Sequence, residues 1–173
     1  MLAVALVSCA SLLLELALTR LFSVVLFYHF AFLAISVALL GLGAGGVFGY
    51  VRRDKLERLS TGDLGFGISL GSAVSILVAL EVVLRLPISL DLTWTNFGKL
   101  SVMYLFCAVP FFFTGLLFSV VFAREAAGIG KIYGSDLLGG ALACMAVVPL
   151  LNWIGGPNAI VAASVLMAGA AAI

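Results

Sequence analysis

A polytopic all-α membrane bundle of six transmembrane helices is the fold this sequence predicts, and three observations predict it. Hydrophobic residues make up 64% of the chain and charged residues only 10%, where a soluble domain keeps about a quarter of its residues charged. The mean hydropathy is +1.30. The apolar residues fall into six stretches close to the ~20 residues that a helix needs to cross a bilayer. Ten-residue stretches of alternating apolar and polar residues, the signature of a membrane β-barrel, are absent. The whole chain, 1–173, therefore reads as one transmembrane domain whose first partner is the lipid bilayer. A formal net charge of +1, with no basic stripe, excludes an electrostatic nucleic-acid binder.

The first segment, Leu2–Phe22, is apolar except for Glu15, Thr19 and Arg20. A carboxylate inside such a segment costs about 2.5–3.5 kcal/mol on translocon scales unless something satisfies it, so it marks a candidate site. Glu15 and Arg20 are five residues apart and point about 140° away from each other around a helix, whereas Glu15 and Thr19 share a face. Arg20, nearer the end of the segment, reaches an interface by snorkelling. Glu15 needs a partner across the bundle, a proton, or an aqueous cavity. A buried structural tie and a cavity-lining site are the two readings open to it.

The second segment, His29–Val51, carries Gly41, Gly45 and Gly49 at four-residue spacing, with Gly43 and Gly46 beside them. Lipid supplies no hydrophobic force between helices, so small residues that let backbones approach mark contact faces. The same stretch matches the dinucleotide pattern G-x-G-x-x-G, but that motif requires a preceding strand and here lies inside a helix. His29, the single histidine, reads as an interfacial anchor beside Tyr28 or as a proton relay.

The third segment, Leu64–Leu84, repeats the small-residue device at Gly67, Gly71 and Ser75, and Glu81 and Arg85 stand four apart in the favourable order for an ion pair. The fourth, Leu100–Ala123, contains Pro110, which frees the carbonyl of Phe106 and predicts a kink. Thr114 and Gly115 follow it, either as kink packing or as a substrate-facing break. The fifth, Leu137–Ile154, opens after Tyr133-Gly-Ser-Asp136 and carries Gly139, Gly140, Ala143 and Cys144 as a contact face, with Pro149 near its far end. Asp136 reads as a helix N-cap, or with Tyr133 as the lining of a cavity mouth. The sixth is Pro157–Ile173.

Basic residues in short loops orient the bundle. Arg52, Arg53, Lys55, Arg58, Arg124 and Lys131 fall on one side, against Arg20, Arg85 and Lys99 on the other. This places both termini in the cytoplasm and Trp94 and Trp153 near the outer interface. Met1 leads straight into apolar residues without the basic region or cleavage site of a secretory signal. The last segment ends at Gly169-Ala-Ala-Ala-Ile173 without a polar or aromatic flank, so a longer parent chain is expected. Cys9, Cys107 and Cys144 share no metal spacing and read as small helix residues. No metal site, cofactor or nucleophile–base pair is expected within the chain.

Glu15-Leu-Ala-Leu-Thr19-Arg20, the glycine-rich second helix, Pro110-Phe-Phe-Phe-Thr114-Gly115 and Tyr133-Gly-Ser-Asp136-Leu-Leu-Gly139-Gly140-Ala141-Leu-Ala-Cys144 occur in that order along most of the chain. This arrangement is similar to the membrane domain fused to spermidine synthase-like (polyamine aminopropyltransferase-like) proteins. The resemblance implies a soluble Rossmann-like catalytic domain after the membrane helices, whose nucleotide-binding glycines and catalytic acid these 173 residues lack. It therefore implies the membrane module alone, anchoring that domain and passing a small cationic substrate. Glu15, Thr19, Arg20, Thr114, Tyr133 and Asp136 are then the candidate substrate-facing residues. The alternative class is half of a secondary transporter, or a non-catalytic subunit packed against other membrane subunits or copies of itself. Gly46-x-x-Gly49-Tyr-Val-Arg-Arg-Asp-Lys55 shares composition, though not order or spacing, with a loop motif of major-facilitator transporters.

Overall fold

The computed structural model describes residues 1–25, 31–86, 93–125 and 128–173. Tyr28 and His29 lie outside the described residues. Helices account for every regular element among those described: α1 (Leu2–Val25), α2 (Ala31–Val51), the single turn α3 (Arg53–Leu56), α4 (Thr61–Arg85), α5 (Trp94–Arg124) and α6 (Ile129–Ala171). Five of them are long and apolar enough to cross a membrane. The polytopic all-α class is the one observed.

The fifth and sixth expected spans are joined in α6, which runs for 43 residues. A straight helix of that length would reach about 64 Å, twice a hydrocarbon core of about 30 Å. It breaks instead at Gly155, which sits at φ 79° and ψ 167°. Only glycine adopts that conformation without a Cβ penalty. Pro157 adds a second reason, because it has no N–H to donate to the Trp153 carbonyl one turn back and suits the first turn of a new helix. Pro149 lies inside the helical run before that break.

Contacts on either side of Gly155 give the path. Before it, Asp136 meets Ser8, Gly140 meets Leu12, and Leu151 and Asn152 share a cleft with Leu21 and Val24, so the first limb rises alongside α1. After it, the Ser164 hydroxyl donates to the Ala73 carbonyl at 2.9 Å, at the middle of α4. The second limb has turned back into the bundle. Two spans of opposite direction therefore exist, as the sequence suggests, within one element.

α1 is the central helix. Every residue from Ala3 to Thr19 is buried or half-buried, and Arg20 is the first exposed one. Its largest neighbour is α6; α2 lies mainly on α5, and α4 sits between α5 and α6. Phe22, Leu13, Leu14, Leu18, Ile76, Met103 and Phe111 are among the large side chains fully buried at the centre. The outer faces are apolar as well: Phe32, Leu39, Leu40 and Val47 of α2 and Leu138, Leu142 and Met145 of α6 are exposed. A helix apolar on all sides suits a bundle bathed in lipid.

Glycines set the closest approach. A methyl group added at Gly41 or Gly45 would collide with the carbonyl oxygens of Ala108 and Phe112, and one at Gly49 would fall 2.7 Å from the Ser119 hydroxyl. Gly115 meets Leu42 across the same interface, and Gly139 meets the Ala5 carbonyl. Gly67 behaves differently, with nothing within 4 Å of a built Cβ. The stripe Gly67, Gly71 and Ser75 does not seat a helix along its length. It floors a groove of about 520 Å³ between α4 and α5, and of its two glycines Gly71 meets the Phe113 ring while Gly67 meets nothing.

Candidate functional site

Ser8 and Glu15 of α1 and Asp136 of α6 place polar side chains along the α1–α6 seam, while Ser69, Ser72, Thr114 and Ser164 are buried on α4, α5 and the second limb of α6. At the lower end of the seam the Ser8 hydroxyl lies 2.6 Å from Oδ1 of Asp136 and 2.9 Å from the Asp136 carbonyl oxygen. Ser8 is buried and Asp136 half-buried. A hydroxyl donating to a carboxylate at this distance forms a charge-assisted hydrogen bond, worth about 1.5–3 kcal/mol net. Close approach makes the bond possible, because Gly139 and Gly140 let α6 ride against Ala5, Ser8 and Leu12.

Glu15 stands seven residues above Ser8, nearly two full turns, so the two side chains leave α1 within about 20° of each other and about 10 Å apart. Glu15 therefore shares the α1 face that carries Ser8 toward the first limb of α6. It is half-buried on a helix that has no exposed residue at that level. The Thr19 hydroxyl donates to the Glu15 backbone carbonyl at 2.8 Å, which leaves the carboxylate free. Among the described residues no hydrogen bond or ion pair engages it. Higher still, Arg20 and Asn152 line a cleft of about 270 Å³ with Leu21, Val24, Leu151, Gly156 and Pro157.

Several site residues fall elsewhere than the sequence suggests. Asp136 is not a helix N-cap: α6 begins at Ile129 after Gly128, so Asp136 lies two turns inside, and its partner is a side chain rather than orphan amides. Tyr133 is exposed at the lower end, away from the Glu15 level. Thr114 is buried, but its hydroxyl donates to the Pro110 carbonyl at 3.2 Å, which also receives Ser72 of α4 at 3.3 Å. It ties the proline turn of α5, so of the two readings the sequence leaves open it serves the kink packing. Ser8 is the residue that sequence reasoning missed. A lone serine among small residues carries no signal until its neighbour on another helix is known.

Other charges close locally. Arg85 pairs with Glu81 one turn back on α4, as their spacing suggests. Arg124, at the end of α5, donates to the carbonyls of Leu56 and Leu59 and to the Thr61 hydroxyl. It fastens the basic turn around α3 to the end of α5. Arg52 lies 5.7 Å from the centre of the Phe48 ring, within cation–π range. Among the described residues no cluster of His, Cys, Asp or Glu could hold a metal ion.

No protein-family model matches this chain, and neither a curated protein nor a solved structure matches it.

Proposed function

We propose that this chain is an integral membrane module that binds a small cationic, amphipathic substrate along the α1–α6 seam, in the manner expected of the membrane part of a spermidine synthase-like protein. The observation that carries the reading is the placement of Glu15 about 10 Å above the Ser8–Asp136 pair on one face of α1. Two carboxylates on one seam, with no cationic side chain of the described residues paired to either, suit an ammonium group at one or both levels. A methylene chain between such groups fits only where α6 parts from α1, because Gly139 meets the Ala5 carbonyl and Gly140 meets Leu12 across the seam. Asp136 takes the ammonium group nearer the chain's start and Glu15 the deeper one. With Arg52, Arg53, Lys55 and Arg58 on the cytoplasmic side, the lower end of the seam opens to the cytoplasm.

Uptake of radiolabelled spermidine into proteoliposomes, with succinate as an anionic control, tests this directly. Glu15→Gln and Asp136→Asn should each remove spermidine uptake while the protein remains monodisperse. Undiminished uptake in both variants, or no uptake by the unaltered protein, would overturn the reading. A second reading, a subunit packed in a larger membrane assembly, draws on the unfilled groove over Gly67, Gly71 and Ser75. It predicts normal seam chemistry without transport, and a neighbouring helix seated on that groove.

A further inference from the structure

The two arginines at the outer ends of α1 and α4 are provided for in different ways. Arg85 is neutralised within its own helix by Glu81. Arg20 is exposed and has no ion pair or side-chain hydrogen bond among the described residues. Its nearest acid on α1, Glu15, leaves the helix about 140° away. Arg20 opens instead into the cleft of about 270 Å³ that it lines with Asn152, Gly156 and Pro157.

We infer that this cleft binds the phosphodiester group of a phospholipid, with Arg20 as its cationic anchor. A guanidinium presents paired N–H donors that match phosphate oxygens two at a time. Asn152 adds an amide donor from the other wall. Gly156 lies just after the break at Gly155, where a restarting helix presents amides with no carbonyl one turn behind them and the positive end of its dipole. Leu21, Val24 and Leu151 complete the cleft with apolar surface, which suits the start of an acyl chain.

The level of the cleft selects a lipid over free phosphate. Trp153, the neighbour of Asn152, is 85% exposed and Trp94 is 91% exposed, and tryptophans concentrate where headgroups meet hydrocarbon. The site does not depend on the cationic-substrate reading, since it uses neither Glu15 nor Asp136.

Native mass spectrometry of the detergent-solubilised chain with added phosphatidylglycerol tests the site. Arg20→Gln should weaken lipid retention about tenfold, and Asn152→Leu, at an exposed position, should weaken it to a smaller extent. Arg85→Gln should leave retention unchanged, and a phosphate-free glycosyl diacylglycerol should be retained poorly by every form. Millimolar inorganic phosphate should not displace the lipid. Equal losses in Arg20→Gln and Arg85→Gln would mean diffuse surface charge and overturn the site. Full displacement by inorganic phosphate would overturn the lipid assignment, as would unaltered retention in both cleft variants.

Discussion

Ser8 and Asp136 stand 128 positions apart in the chain and 2.6 Å apart in space. Their hydrogen bond fixes the height at which the first limb of α6 meets the central helix. Shifting α6 by a single residue would move Asp136 about 1.5 Å along the axis and 100° around it, away from the Ser8 hydroxyl. The pair therefore acts as a register pin as well as a contact.

Removing the donor should cost more than altering the acceptor. Ser8→Ala leaves a half-buried carboxylate without its hydroxyl and should lower stability by about 1–3 kcal/mol. Asp136→Asn keeps an acceptor in place and should cost less. Thermal melts in detergent on the two single variants and the double variant would give their coupling energy. A coupling near zero would show that the bond contributes nothing to register.

Glycine positions two residues apart on α2 should respond oppositely. Gly45→Leu drives a side chain into the Phe112 carbonyl and Leu116 backbone and should destabilise by at least about 1–3 kcal/mol through overpacking. Gly43 has nothing within 4 Å, so Gly43→Leu should be neutral or slightly stabilising, given the better helix propensity of leucine. Yield of monodisperse protein and melting temperature would distinguish them. Equal tolerance at both positions would remove the case for an α2–α5 glycine interface.

The break in α6 rests on one residue. Gly155→Ala forces a Cβ into a backbone with φ 79° and ψ 167° and should cost about 1–3 kcal/mol. Gly156→Ala, where φ is not positive and space is open, should cost less. Comparing the two by melting temperature checks whether the reversal depends on Gly155, and equal losses would show that it does not.

Orientation is open to labelling. In a variant with Cys9, Cys107 and Cys144 replaced by serine or alanine, a cysteine at Arg58 should react with a membrane-impermeant maleimide only after the cells are opened. A cysteine at the exposed Trp94 should react in intact cells. The reverse pattern would invert the topology and place the Arg20 cleft on the cytoplasmic leaflet.

Much of the fold is legible in the sequence because membrane spans are local. A run of about 20 apolar residues is sufficient to span the hydrocarbon, so Leu2–Phe22 or Leu64–Leu84 announces itself without reference to any neighbour. Glu81 with Arg85 is equally local, four residues apart on one helix, and the helix break at Gly155-Gly-Pro157 coincides with a change of span. The choice of partners is a different matter. Gly45 and Gly67 look alike as members of small-residue stripes, yet one touches α5 backbone and the other touches nothing. Asp136 looks like a cap until Ser8 is brought to it from the other end of the chain. Glu15 acquires a direction only because α6 lies on the same face as Ser8. In lipid, helix and surroundings are equally apolar, so no hydrophobic force written into composition selects one neighbour over another. Short-range packing and hydrogen bonds make that selection, and they exist only once the helices have met.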